Sequence, residues 1–445
     1  MEKLKKHPLI VGTALLTLSG LISRTIGFVY RIYLSRLVGA EGMGIYQILN
    51  PVLAIAFSLT AAGYQTAISK LVAEKSAGQK STSYSPLIAG ILITLPLSLL
   101  CTWALYIFSD YIAATFLGEP STAGMLRMLA FSIPFSSVHS CINGHFYGLK
   151  KAGYPAFAQI MEQITRVASV FLLSQLSLSQ GRAPSVSCAV LGLVIGEFFS
   201  LLVSLVTFWY EYGKSPLTTA ERALPLRRLP TKGILDLALP ITCNRIVLNI
   251  LGSVENVSIP SQLRSYGYDN STALSIYGTF TGMAMPFIFF PNALTNSIAV
   301  LLLPMVSESK ALGNFEELRK TIRKTLRYCL YMGAFFLGFF LLTGNLLGDI
   351  VFQNSLAGYF ITTLSFICPF MYLDTTLSSI LQGLDMTTGL FLINVSALGL
   401  RLLFLFLFVP QVGITGYLWG LLAGQIWTCG LYLLCLKRRL KRLGA

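Results

Sequence analysis

Long apolar runs recur from one end of this chain to the other, and they constrain its fold more than any other feature. They lie near residues 9–37, 43–73, 84–108, 122–148, 154–178, 186–211, 233–261, 271–306, 326–346, 357–383, 388–409 and 413–436. Each reaches or approaches the roughly 20 residues that carry a helix across a bilayer. In hydrocarbon a segment has to satisfy its own backbone hydrogen bonds, so each run predicts an α-helix. The expected fold is an all-α polytopic membrane protein with about 12 transmembrane helices. Several runs are longer than one crossing requires, which predicts tilt or extension into water.

Charge agrees with that reading. Only 11% of residues are charged and 54% are hydrophobic, against about 25% charged in soluble domains. The formal net charge is +15, a value that by itself suggests nucleic acid. Its placement argues otherwise. Lys and Arg gather at the N-terminus (Lys3, Lys5, Lys6), in every second loop (Lys70–Lys80, Lys150–Lys151, Lys214–Lys232, Lys310–Arg327) and in the tail Lys437–Arg442. That is the positive-inside pattern of a multi-pass membrane protein, with both termini cytoplasmic. The partner it predicts is the lipid bilayer and not nucleic acid. The apolar run after the first lysines has no A-x-A-like cleavage site, so it is expected to be an uncleaved first span.

The chain also repeats itself. Arg166, in ITRVASVFLL, recurs as Arg401, in LGLRLLFLFL, 235 residues later. The same shift lays Pro134–Phe135 on Pro369–Phe370 and Gly148–Leu149 on Gly383–Leu384, while Gly192-x3-Gly196 parallels Gly420-x3-Gly424. The polar stretch Gly213–Lys232, with Pro216, Pro225 and Pro230 beside Arg227 and Arg228, is the natural junction. These features predict two six-helix pseudo-symmetric lobes, residues 1–222 and 223–445, around a central cavity. Parallel repeats of this kind are a transporter plan with substrate held between the halves.

Polar residues inside the runs are the candidate functional groups, because an arginine at mid-bilayer costs roughly 2.5–3.5 kcal/mol unless it faces protein or water. Arg24 and Arg245 open the two halves in polar surroundings, and Arg245, Asn249 and Asn256 recur at helical spacing, which predicts one wet stripe on that helix. Guanidinium forks suit phosphate oxygens. The plain alternative is that each arginine snorkels to an interface or caps carbonyl groups. Gln47, Asn50, Asn292 and Asn296 complete the candidate substrate-binding set. Glu162, Glu197, Glu255 and Asp374 are candidates for coupling to a Na+ or H+ gradient. Arg166 and Arg401 are expected to be a structural pair, Arg166 neutralised by Glu162 one turn away; Asp374, on the preceding helix, is one candidate partner for Arg401, and Glu197 or Glu255 could instead pair with an arginine.

Enzyme signatures are missing: the sequence has no GxxxxGK[ST], HExxH or GxSxG. The eight cysteines lie in apolar segments without CxxC spacing, and His139 and His145 fall on different helix faces, so neither disulfide, metal nor cofactor is expected.

Ser23–Phe28 (SRTIGF) and Arg36–Gln47 (RLVGAEGMGIYQ), with Arg245–Pro260, Ser275–Pro304 and Thr375–Gly383, resemble the oligosaccharide flippases of the multidrug/oligosaccharidyl-lipid/polysaccharide superfamily, in the branch of stage V sporulation protein B. That resemblance implies a V-shaped cavity lined by the first two helices of each lobe, with Arg24 and Arg245 inside it. It also implies a cargo of undecaprenyl-pyrophosphate-linked saccharide, such as lipid II, moved by alternating access. Cell-wall or polysaccharide synthesis enzymes would then be partners, and peptidoglycan or sporulation the setting. Many lipid II flippases carry fourteen helices, the last pair helping to hold the lipid tail, where about twelve are expected here. A multidrug/cation antiporter on the same scaffold is the alternative.

Overall fold

The computed structural model describes residues 8–76, 84–214, 230–313 and 315–442. Lys3, Lys5, Lys6 and most of the expected junction (Pro216, Pro225, Arg227 and Arg228) lie outside them. The described residues are helical, with no strand among them. Helix α1 runs Pro8–Phe57, α2 Gly63–Ser76, α3 Ser85–Ile107, α4 Ala123–Ala130, α5 Ser132–Gly148, α6 Gly153–Ser179 and α7 Val186–Lys214. The series continues with α8 Thr231–Tyr266, α9 Asn270–Gly278, α10 Met285–Phe289, α11 Asn292–Ala311 and α12 Phe315–Leu347. It closes with α13 Ser355–Leu364, α14 Cys368–Gly383, α15 Thr387–Val412 and α16 Ile414–Arg442.

Among the described residues nine helical stretches are long and apolar enough to cross a membrane, ten if the bent pair Pro120–Ala130 and Ser132–Gly148 is one span. The expected count of twelve is not reached on this test, for two physical reasons. The first two runs are joined in one stretch of 58 residues, Leu18–Lys75, which carries a π-helical turn at Ser58–Ala62 and turns at a corner at Gly39 (φ 70°, ψ −175°). A side chain there would be strained, so glycine lets the chain turn without a loop. Helix α6 also falls short, because Glu162 and Arg166 sit in its middle.

Close packing divides the chain into two units. The first holds Met1–Tyr30 and Ile48–Ser253, the second Arg31–Gln47 and Val254–Ala445. Compared with a cut at residue 222, each unit has taken a segment of the other half. The corner around Gly39 packs in the second unit, where a Cβ on Gly44 would lie 2.1 Å from the carbonyl oxygen of Leu274. There Arg36 donates to the carbonyls of Val351 (3.0 Å) and Ile350 (3.1 Å), and Ser271 donates to Glu41 at 2.6 Å. The first half of α8 packs in the first unit, where Gly63 lies against Thr242 and Ala238.

Inside each unit the helices meet through small residues, as lipid-embedded helices must when no water-driven force separates lipid-facing from protein-facing surface. The first unit is centred on Tyr64, Ile68, Val72, Leu87, Cys141, Phe146 and Ile234. The second is centred on Leu302, Val306, Leu318, Ile322, Leu377, Ile380 and Leu436. The 235-residue repeat is visible in both. Thr94 faces Cys141 at 3.2 Å in the first, and Cys329 faces Thr376 at 3.1 Å in the second, the same two positions with the residue types exchanged. Gly148 abuts Ser69 and Val72, and Gly383 abuts Leu303 and Val306. The turns that follow repeat as well: Lys150 (φ 60°) and Asp385 (φ 62°) are both left-handed.

Candidate functional site

Several polar residues of the spans collect into two clusters, one per unit, most of their members half-buried. In the first, Arg166 on α6 donates to Glu162 one turn earlier at 2.5 Å and stands 3.9 Å from Glu197 on α7. The other carboxylate oxygen of Glu197 meets His139 Nε2 on α5 at 3.1 Å, and His139 Nδ1 is bridged by Asn143 at 3.2 Å. Helical spacing makes this arrangement possible, since Glu162 and Arg166 share a face and Asn143 follows His139 by one turn. Gly196 opens the slot: a Cβ there would sit 3.2 Å from Arg166 Cβ. Glu197 also lines a recess of about 250 Å³ shared with Leu53, Ala54, Phe57, Ser132, Ile133, Ser136 and Leu193.

The second cluster places Arg401 on α15 against Glu255 on α8 at 3.1 Å. Tyr417 on α16 donates to the other oxygen of Glu255 at 2.9 Å. Glu255 is only 4% exposed, so its charge depends on these two partners. Gly424 makes room as Gly196 does, a Cβ there lying 2.9 Å from Arg401 Cγ. Of the two candidate partners for Arg401, Asp374 and Glu255, the structure pairs it with Glu255. Asp374 lies within electrostatic reach of it, but the ion pair goes to Glu255, delivered from α8, which sequence order separates by 146 residues. The Oδ1 atom of Asp374 is buried and makes no hydrogen bond among the described residues.

Of the candidate substrate-binding residues, Arg24 and Arg245 are both exposed. Both fall in the first unit, because the exchanged first half of α8 carries Arg245 there. The expectation of one arginine per lobe therefore does not follow the packing. The wet stripe expected through Asn249 is corrected in part. Asn249 is engaged in helix packing, its amide donating to the carbonyl of Ala54 at 3.3 Å and to the hydroxyl of Ser58. Asn292 is likewise occupied, accepting from Thr295 and, at 3.1 Å, from Thr375. Gln47 is buried in the second unit, and Asn50, Asn256 and Asn296 are half-buried.

Sequence reasoning missed His139, weighed only as a metal ligand, and Tyr417. A signal existed for the first: the 235-residue shift places His139 on Asp374, both beside the half-buried arginine of their unit. No signal pointed to Tyr417. Among the described residues no group of three or more His, Cys, Asp or Glu side chains is arranged to hold a metal ion.

Comparisons with known proteins agree with this architecture. A model of the family described as polysaccharide biosynthesis protein matches residues 9–310. Over 426 residues the chain is 27% identical to stage V sporulation protein B of Bacillus subtilis (strain 168), an alignment spanning 95% of this chain and 82% of that protein. It is 25% identical over 342 residues to the lipid II flippase MurJ of the same organism, spanning 73% and 62%. Among solved structures, lipid II flippase MurJ in an inward closed conformation superposes with a TM-score of 0.73 at 14% identity, covering 97% of this chain and 90% of that one. An inward-facing multidrug resistance MATE family transporter of the MOP superfamily gives 0.72 at 16% identity, covering 96% and 95%. At these identities the structural likeness speaks for the fold, which both transporters share.

Proposed function

This chain belongs to the polysaccharide biosynthesis protein family, and on that premise we propose that it is a flippase for an undecaprenyl-pyrophosphate-linked oligosaccharide, lipid II or a related precursor. It is a multi-pass membrane transporter and not an enzyme, like the flippase and transporters it resembles. In this reading it works by alternating access in a bacterial cytoplasmic membrane, with both termini cytoplasmic. The observation that carries the proposal is the exposure of two arginines within apolar helices. Arg166 and Arg401 are half-buried in ion pairs with carboxylates, whereas Arg24 and Arg245, from opposite halves of the sequence, are exposed in the same unit. Exposed guanidinium groups within apolar helices suit an anionic headgroup that enters while its polyprenyl tail stays in lipid.

Coupling to a Na+ or H+ gradient would then fall to Asp374. Glu162, Glu197 and Glu255 are committed to arginines, while one oxygen of Asp374 is left without a hydrogen bond among the described residues. The test is flipping of a labelled lipid-linked saccharide in proteoliposomes. Arg24→Ala and Arg245→Ala should each lower the rate about tenfold or more, the worth of one charge-assisted hydrogen bond. Unchanged flipping in both variants removes the site assignment. The MATE-like fold keeps a multidrug/cation antiporter as the second reading; drug efflux driven by an imposed gradient, with no flipping, would establish it instead.

A further inference from the structure

One side of α12 changes character along its length in a way that the transport reading leaves unused. At 1.5 Å per residue its 33 residues span about 50 Å, some 20 Å more than the hydrocarbon core. Counting about 20 residues back from Leu347 places the edge of the hydrocarbon near Tyr328. Below that edge the outward side chains are apolar: Phe335, Leu342 (88% exposed) and Leu346. At the edge come Tyr328 and Tyr331, both exposed, as the aromatic belt of a membrane protein requires. Beyond it the same exposed side carries Arg319, Lys320, Arg323, Lys324 and Arg327, all within about 12 Å. The opposite side of these turns is held by Leu318 and Ile322 in the core of the second unit.

The last turns of α16 end beside this stripe. Leu436 belongs to the same core and Leu440 packs against it, while Lys437, Arg438 and Lys441 are exposed. The acidic groups of this rim whose side chains are described already have partners. Glu316 pairs with Lys320 at 2.8 Å. Asp385 is bonded by Lys310, and that bond, with the nearby charges of Lys310 and Arg439, holds its carboxyl below the usual range. Glu308 and Glu317 are further acids of this stretch in the sequence; among the acids whose side chains are described, none lies within ion-pair distance of Arg319, Arg323, Lys324 or Arg327.

We infer that this end of the second unit is a docking surface for anionic phospholipid headgroups, with Arg319, Arg323, Lys324 and Arg327 as its principal contacts. The charge complementarity is with phosphate diesters, the depth is that of the headgroup layer, and the rigid core beneath keeps the four cations in place. Each cation near an anionic leaflet strengthens attachment by up to about fivefold. A general excess of loop lysine and arginine directs topology without choosing a lipid; a packed stripe at headgroup depth retains one.

The full-length protein in phosphatidylcholine bilayers, doped with spin-labelled phosphatidylglycerol or spin-labelled phosphatidylcholine, tests this without any transport assay. The fraction of motionally restricted label should favour phosphatidylglycerol about three- to tenfold and lose that preference in high salt. R319Q/R323Q/K324Q/R327Q should abolish the preference, whereas R319K/R323K/R327K and the first-unit control K70Q/K150Q should keep it. If the quadruple variant does not fold, R319Q/R323Q and K324Q/R327Q should each remove about half. No preference in the parent protein, full preference in the glutamine variants, or equal loss in the control overturns the inference. Displacement of the label by one equivalent of a polyprenyl diphosphate would also overturn it, assigning the surface to cargo.

Discussion

The two units hold a half-buried arginine in the same manner and neutralise it in different ways. Arg166 and Arg401 occupy repeat positions, and each lies in a slot opened by a glycine of the following helix, Gly196 or Gly424. Arg166 has two carboxylates within 4 Å, Glu162 from its own helix and Glu197 from the next, and Glu197 is steadied in turn by His139. Arg401 has one, Glu255, drawn from α8 and steadied by Tyr417. The inventory around each is similar, two acids near one arginine, because Asp374 replaces His139 in the repeat. The first cluster is thus redundant and closed on three neighbouring helices. The second rests on a single long-range pair and leaves an acid over. Duplication preserved the half-buried cation and the glycine slot, and the partners diverged.

The largest effect that follows separates a redundant pair from a sole one. Glu255→Gln leaves Arg401 without its ion-pair partner, a loss of about 3–5 kcal/mol for a broken buried pair. Glu162→Gln leaves Arg166 within 3.9 Å of Glu197, so the loss should be about 1–2 kcal/mol. Unfolding midpoints in detergent should therefore rank Glu255→Gln well below Glu162→Gln, with Asp374→Asn close to the parent. Equal midpoints for the two glutamine variants would remove the contrast between the clusters.

A smaller effect tests the slots. A Cβ at position 424 would stand 2.9 Å from Arg401 Cγ and 3.2 Å from Cδ, so Gly424→Ala has to re-aim the guanidinium away from Glu255. At position 196 the nearest atoms are Arg166 Cβ at 3.2 Å and the Glu162 carbonyl at 3.3 Å, which a shift of a few tenths of an ångström relieves. Gly424→Ala should cost about 1–3 kcal/mol, the usual range for overpacking, and Gly196→Ala about 1 or less. Midpoints measured in Arg401→Met and Arg166→Met backgrounds locate the cause. The cost of Gly424→Ala should shrink once the guanidinium is gone.

What the sequence made legible, and what it hid, follows the same division. The membrane fold could be read because bilayer length and apolar composition act locally. The repeat could be read because Pro134, Gly148 and Arg166 return in register with Pro369, Gly383 and Arg401. The pairing of Arg166 with Glu162 is a local spacing. The partner of Arg401 was hidden because Glu255 reaches it through the packing of α8 against α15 and α16, and the nearest acid in sequence was Asp374. The roles of Asn249 and Asn292 were hidden for the converse reason: polarity in an apolar run marks a wet face and a helix-to-helix hydrogen bond alike. The exchange of residues 31–47 and 231–253 between units depends on backbone contact at Gly44 and Gly63, where the sequence shows only one small residue among many.

A further pair lies outside the membrane-spanning segments. Lys150 and Asp385 both adopt left-handed backbone after the equivalent helices α5 and α14. Lysine has no special tolerance for that region, whereas aspartate does. Lys150→Gly should raise the midpoint by about 0.5–1 kcal/mol in equivalent stability. Asp385→Gly should be close to neutral at pH 7, because it also removes the bond from Lys310. The sign with pH is fixed by the lowered carboxyl value. The contribution of Asp385 is complete above the unfolded-chain value, near 3.9, and is lost as pH falls through the lower folded value. Asp385→Gly should consequently compare better with the parent in acid than at neutral pH, while the gain from Lys150→Gly stays constant.

The least costly change is also the most specific to the repeat. Thr94 and Cys141 in the first unit face each other as Cys329 and Thr376 do in the second, at 3.2 and 3.1 Å. The hydroxyl and thiol together fill one small polar gap between α3 and α5, and between α12 and α14. Either order satisfies the hydrogen bond, so the double variant T94C/C141T should lie within about 0.5 kcal/mol of the parent. T94V, which removes the hydroxyl but keeps the branched shape, should cost about 0.5–1.5 kcal/mol, the worth of one hydrogen bond. A double-mutant cycle over the two sites gives the coupling energy directly. A T94C/C141T protein destabilised as much as the sum of its single changes would mean that the two units do not share this packing, and that their resemblance at the 235-residue shift stops at the backbone.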